Sequence, residues 1–189
     1  MTAEESGGWV RTSRDGAVLT VTLDRPEQLN AQTPATWTAL AGVGASLDDD
    51  VRVVVLRGEG RSFSAGLDRS LFSTEPGIAG SLGALGELPP ELAEDRIRGY
   101  QSGFRWLRSP GIVSVAAVQG HAIGAGAQLA LACDLRVFTE DAHGDGLNFD
   151  WVVQGAQGIA QFEQECLLFF AFAQGIFGAG AFQTRENAV

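Results

Sequence analysis

Residues 112–138, IVSVAAVQGHAIGAGAQLALACDLRVF, restrict the possible folds more than any other part of the chain. Residues 112–118 are apolar apart from Ser114 and rich in Val and Ile, bounded by Pro110 and Gly111 on one side and Gly120 on the other. That is the pattern of a buried strand. Glycines at Gly120, Gly124 and Gly126 make a turn, and residues 127–133 then have the Ala and Leu content of a helix. A strand that runs through a glycine turn into a helix points several unpaired backbone N–H groups at one spot, and the helix dipole adds partial positive charge there. Such a junction suits an anion, or an oxygen that is becoming one.

The rest of the chain supplies elements of the same kind. Residues 17–23 (AVLTVTL) are β-rich and predict a strand, followed by the loop DRPEQLNAQTP. Thr33 is placed as an N-cap with Pro34 at the first helical position. Trp37, Leu40, Val43 and Leu47 recur at helical spacing, so a helix is predicted over residues 34–47, closed by the solvated acidic turn Asp48, Asp49, Asp50. A second strand is predicted over 51–56 (VRVVVL), leading into the glycine loop RGEGRSFSAGLDRSLF. One helix between two strands points to a repeating β-β-α or β-α-β unit and not to a hairpin sandwich. Residues 73–90, rich in glycine and proline, are expected to form a surface loop or lid. From Glu91, Ile97, Tyr100, Phe104 and Leu107 fall at steps of three and four, the stripe of an amphipathic helix that ends before Pro110.

Composition removes several functions. At 189 residues the chain is long enough for a substantial core, and a net charge of -10 argues against binding nucleic acid or anionic membrane surfaces. All 13 basic residues are Arg, so there is no Schiff-base lysine, no phosphate-loop lysine and no Ser–Lys pair. Cys133 and Cys166 fit no metal spacing, and no metal site is expected. The opening MTAEESGGW is acidic, polar and without a signal pattern, which together with the reduced cysteines predicts a cytoplasmic protein.

Two turns resemble each other chemically. FSAGLD, residues 63–68, follows one predicted strand, and GHAIGAG, residues 120–126, follows another. Small residues let a ligand approach the main chain closely, and two such turns side by side can give one N–H each to a carbonyl oxygen. That arrangement is an oxyanion hole for a thioester or similar acyl group. GHAIGAG also fits a dinucleotide-type glycine spacing. It lies far from a first βα unit, however, and the Lys that a short-chain reductase needs beside its Tyr is absent.

With these residues in view, LDRPEQLNA (residues 23–31), VVVLRGEGRSFSAGLD (53–68) and VAAVQGHAIGAGAQLALACDLRV (115–137) resemble the three signature segments of the enoyl-CoA hydratase/isomerase family, the crotonase superfamily. The resemblance spans residues 8–142 in order and spacing. It implies an α/β fold, a crotonase-like spiral of repeated ββα units, with acyl-CoA or enoyl-CoA thioesters as ligands and trimers or pairs of trimers as assemblies. Coenzyme A enters as part of the substrate, and no permanently bound cofactor is implied. Carried over residue by residue, the oxyanion donors are the backbone N–H groups of Leu67 and Ala125. Ala65, Gly66 and Asp68 line the CoA path, and Arg25 and Ala31 match positions near its nucleotide, where an Arg suits a phosphate. The activity implied is water addition to enoyl-CoA, or a shift of its double bond, in fatty-acid metabolism.

The resemblance breaks where proton transfer is needed. Hydratases of the family use two glutamates; the first falls on Gln128, which exchanges no proton at neutral pH but can orient a water or bond a carbonyl. The second, counted without gaps, falls on Asn148, with Asp145 and Asp150 nearby. Two alternatives follow from the missing carboxylates, a non-catalytic acyl-CoA-binding homologue and a truncated, inactive product. Residues 143–189 hold seven of the 11 Phe, six Gln and one Arg, and carry none of the family's later segments. The expected division is therefore a core over 1–142 and a divergent tail over 143–189, with the family's C-terminal helical layer missing or replaced by a frameshift, altered end or truncation. Residues 166–184 are uncharged and apolar, but Gln174 and three glycines make them a poor membrane span, and none is expected.

Overall fold

The computed structural model describes residues 5–7, 9–72 and 82–142. Among the described residues six strands form one sheet whose spatial order repeats the chain order: β1 (Glu5–Gly7), β2 (Val10–Asp15), β3 (Val18–Leu23), β4 (Val53–Gly58), β5 (Val113–Val118) and β6 (Leu135–Phe138). The first three are antiparallel, and β3 to β6 are parallel. Parallel neighbours need crossovers. These are α1 (Pro34–Ala45) after β3, α2 (Leu82–Gly86) and α3 (Pro90–Arg105) after β4, and α4 (Ala125–Leu131) after β5.

The N-terminal strands were not foreseen. β2 reads VRTSRD, too polar to announce itself, and it pairs with β3 through a turn at Gly16, whose φ of 55° lies in the left-handed region. The predicted start of α1 holds: Thr33 Oγ1 accepts from the Thr36 amide at 3.4 Å, Thr36 Oγ1 accepts from the Thr33 amide at 3.2 Å, and Pro34 is the first helical residue. Its last residue is Ala45, two short of the predicted end.

Other boundaries shift for identifiable reasons. β4 begins at Val53 and not at residue 51, because the amides of Arg52 and Val53 both donate to the Ala17 carbonyl and the ladder opens only at Val18 and Val53. α4 begins at Ala125 and not at 127, because Gly124 takes φ 51°, ψ -117°, a glycine conformation that turns the chain into the helix at once. The surface loop expected over 73–90 holds the short helix α2, and Pro90 opens α3; residues 73–81 lie outside the described residues. Leu107, last of the predicted helical stripe, sits fully buried in a separate 3-10 turn, Trp106–Arg108.

Side chains on one sheet face make the core: Val21 and Leu23 of β3, Val54 and Leu56 of β4, Ala116 and Val118 of β5, joined by Leu40, Phe63, Leu107 and Leu129. α1 and α3 pack together where Gly103 meets Trp37; a Cβ on Gly103 would lie 2.8 Å from the Trp37 carbonyl oxygen. The Trp37 and Tyr100 rings stack alongside with centroids 4.8 Å apart.

β3, β4 and β5 are each followed by a short extended piece and then a helix. The short pieces form a second, minor layer in which Gln32 bridges to Leu67 and Ser64 bridges to Ala122, both parallel. Long strand, short strand and helix recur after β3, β4 and β5 as ββα units. The whole tail over 143–189, with Asp145, Asn148, Asp150 and Cys166, lies outside the described residues, as does any C-terminal helical layer.

Candidate functional site

Three loops leave the C-terminal ends of β3, β4 and β5 and lie side by side, at the edge where open parallel sheets gather ligands. Main-chain bonds lace them together. Phe63 N donates to the Gln119 carbonyl at 2.7 Å, Ser64 N to His121 O at 2.9 Å, and Ile123 N to Ser64 O at 3.0 Å. On the other flank Ala65 N donates to Leu29 O at 2.8 Å, Gln32 N to Gly66 O at 2.7 Å, and Asp68 N to Gln32 O at 2.9 Å.

The close approach of these loops depends on missing side chains. A Cβ on Gly120 would lie 2.1 Å from Arg61 O, and one on Gly126 would lie 2.4 Å from Ser64 O. Gly66 has φ 90°, and a Cβ there would meet Ile123 O at 2.5 Å and the Ala125 nitrogen at 3.4 Å. The two glycine turns singled out in the sequence are therefore in contact, with the Leu67 and Ala125 amides on adjoining strands of chain.

Both amides face away from a carbonyl that is bonded elsewhere, for a simple geometrical reason. In a trans peptide the C=O and N–H face opposite ways, and no cis bond occurs among the described residues. The carbonyl in the Leu67 peptide is that of Gly66, anchored on Gln32 N; the one in the Ala125 peptide is that of Gly124, which accepts from Gln128 N at 3.0 Å. Among the described residues, neither the Leu67 nor the Ala125 N–H has an acceptor. Two free donors on abutting turns can share one oxygen and stabilise charge that develops on it.

A buried polar network supports the turns, and sequence reasoning missed all of it. Asn30 Nδ2 donates to Glu59 O at 2.9 Å and Ser62 O at 2.8 Å, while its Oδ1 accepts from Arg25 N at 2.9 Å. Ser64 Oγ donates to Asn30 O at 2.8 Å and accepts from Gln32 Nε2 at 3.1 Å and Gly66 N at 3.2 Å. Leu29 and Asn30 both adopt positive φ, 51° and 55°. An Asn in a polar loop after a strand was the one available signal, since Asn tolerates that conformation.

Arg25, placed near the CoA nucleotide by resemblance, and Asp68, placed on the CoA path, form an ion pair with each other. Arg25 also donates to Ala31 O at 3.2 Å and lies over the Trp9 ring, 5.7 Å from its centroid. Two bonds from Ser70 and then the Arg25 guanidinium hold the Asp68 carboxyl below the usual carboxylate range. Ala31 and Ala65 have their amides engaged by Gln28 O and Leu29 O, so their offer to a ligand is lack of bulk. Gln128 stands half-buried on the first turn of α4, one turn beyond the Ala125 amide, and its side-chain amide has no partner among the described residues. Cys133 is buried, and desolvation pushes its thiol up to about 12. Among the described residues no group of three or more His, Cys, Asp or Glu could hold a metal ion, and no helix is long and apolar enough to cross a membrane.

The family model for enoyl-CoA hydratase/isomerase matches residues 13–150. The mitochondrial Delta(3,5)-Delta(2,4)-dienoyl-CoA isomerase of Mus musculus is 35% identical over 136 residues, covering 69% of this chain and 40% of the relative. The probable enoyl-CoA hydratase EchA14 of Mycobacterium tuberculosis is 35% identical over 130 residues, covering 68% and 46%. The chain thus spans less than half the length of these curated relatives. A crystal structure of a putative enoyl-CoA hydratase from Thermobifida fusca YX in complex with acetoacetyl-CoA superposes with a TM-score of 0.69 at 35% identity, covering 88% of this chain and 67% of that one. Matching residues, strand–turn–helix repeats and paired glycine turns lead to one conclusion: this chain belongs to the enoyl-CoA hydratase/isomerase family.

Proposed function

We propose that the chain binds an acyl-CoA or enoyl-CoA thioester with the thioester oxygen between the N–H groups of Leu67 and Ala125, and acts on the enoyl form by adding water or shifting its double bond. The observation that carries this reading is the pair of unaccepted amides on abutting turns, each aimed by a carbonyl that is bonded elsewhere. Acetoacetyl-CoA in the Thermobifida fusca protein supports the ligand class. Hydrogen bonds from two backbone donors stabilise the enolate oxygen formed in either reaction, and losing one costs about 10²–10³ in rate.

Within this reading Gln128 orients the water or the reacting carbons, and the proton that hydration or isomerisation moves is carried by water or by a group other than Gln128. Arg25 reaches a CoA phosphate only by giving up Asp68, so the CoA chain is held mainly by Ala31, Ala65 and Gly66 through close packing. The free, buried Cys133 fits a reducing compartment such as the cytoplasm.

A thermal-shift titration with acyl-CoA and enoyl-CoA thioesters, with free CoA and NAD as controls, tests the proposal. A ligand at a hundred times its Kd adds about 2.7 kcal/mol to a protein it binds only when folded. A rise with thioesters and none with NAD is expected. No rise with any thioester overturns the proposal, and binding without turnover of enoyl thioesters reduces it to the non-catalytic reading that the missing glutamates favour.

A further inference from the structure

We infer that Gln32 is a positioning residue for the Leu67 donor, holding the Gly66–Leu67 peptide so that its N–H faces the thioester oxygen. The inference rests on the proposal above that this N–H meets a carbonyl. Gly66, at φ 90°, is the one residue of the FSAGLD turn with a glycine's rotational freedom, so the direction of the next N–H depends on what pins the peptides on either side of it.

Gln32 pins both. Its backbone N–H holds Gly66 O at 2.7 Å, and its carbonyl takes Asp68 N at 2.9 Å, so Leu67 is gripped from both flanks. A flip of the Gly66–Leu67 peptide must break the first of these bonds. The side chain acts on the preceding peptide: Gln32 Nε2 donates to Ser64 Oγ at 3.1 Å, and Ser64 Oγ accepts the Gly66 N–H at 3.2 Å. Its other end is fixed as well, since Trp37 Nε1 donates to Gln32 Oε1 at 2.9 Å.

The side chain is wholly buried. An apolar side chain of the same length would fill that space without the cost of desolvating an amide, so the hydrogen bonds are what a glutamine adds there. They connect helix α1, through Trp37, to the orientation of one backbone N–H in the site.

Two ligands separate positioning from general support: a saturated acyl-CoA thioester, and the thioether analogue that lacks only the carbonyl oxygen. The full chain is expected to prefer the thioester by about tenfold, the contribution of one or two good hydrogen bonds. In Gln32→Met the main-chain clamp and the packing volume remain while the relay is lost. The preference is then expected to fall to about twofold or less with thioether affinity unchanged. An undiminished preference, or equal weakening of both ligands, overturns the positioning role. If the unaltered chain binds both ligands equally, the Leu67 reading itself fails, and the inference with it. Should Gln32→Met not melt cooperatively, Trp37→Phe decides, because it removes the indole donor to Gln32 Oε1, with some ring volume, while keeping a ring against Tyr100. Loss of preference there supports the relay, and a preference kept in full refutes it.

Discussion

Gly66 and Ile123 touch through their main chains, and a Cβ on Gly66 would stand 2.5 Å from the Ile123 carbonyl oxygen. Substituting Gly66→Ala meets two penalties at once, a clash with backbone and a side chain at φ 90°. Each is worth about 1–3 kcal/mol. The expected result is a loss of about 2–6 kcal/mol in urea melts and no thioester-induced thermal shift. A variant with unchanged melting and binding would show that the two turns do not abut.

Gln128 lies one turn past the Ala125 amide, at the position where the resemblance implies a carboxylate. Replacing it by Glu restores a group able to exchange a proton, a contribution of about 10²-fold or more to general acid–base catalysis. Gln128→Glu is therefore expected to raise hydration of an enoyl thioester by about that factor, followed as loss of the conjugated thioester's absorbance. Tight thioester binding without any gain would place the reacting carbons away from α4.

The ion pair between Arg25 and Asp68 ties the loop after β3 to the loop after β4. Asp68→Asn keeps the shape but leaves a mostly buried guanidinium without its counter-ion, at an expected cost of about 2 kcal/mol. The pH dependence has a definite sign. Because the folded carboxyl lies below its ordinary value, its contribution is full above about pH 4 and is lost as pH falls through the lowered value. Acid melts of the Asn variant should run closer to flat over that window, and identical acid limbs would remove Asp68 from the account.

Cys133 should be chemically silent. Desolvation keeps its thiol neutral up to about 12, so at pH 8 hardly any thiolate forms in the folded chain. Peptide mapping after alkylation is expected to find Cys133 unmodified in the native protein and fully modified in urea. Its sign under linkage is opposite to that of Asp68: stability is complete below about pH 8.5 and declines as pH rises toward the folded value. Rapid native labelling at Cys133 would mean that the space between β5 and α4 opens to solvent.

What was legible in the sequence was local or made of backbone. The Thr33 cap, Pro34 and the apolar strands announce themselves within a few residues, and the glycine turns reveal a site whose proposed donors are peptide groups. Long-range polar pairing was not legible. Arg25 and Asp68 are 43 positions apart, and each reads separately as an exposed charge or a ligand contact. Gln32 sits in a loop of polar residues, and only the folded chain shows it wholly buried against Ser64 and Trp37. β2 escaped notice because it is a mostly polar strand, with Val10 its only buried residue. The start of α4 was misplaced because Ala125 and Gly126 read as turn residues, whereas Gly126 is needed inside the helix, where a Cβ would lie 2.4 Å from Ser64 O.

The sheet's spatial order, β1 through β6 in step with the chain, bears on how such a protein comes into being. Each of β2 to β6 finds its partner already made by the time it leaves the ribosome, so the described sheet can lengthen one strand at a time without waiting for distant sequence. The loops of the site are added in the same succession. The loop after β3 provides the grip on Gly66, the loop after β4 carries the first proposed donor, and the loop after β5 carries the second. Synthesis thus builds the support before the groups that depend on it.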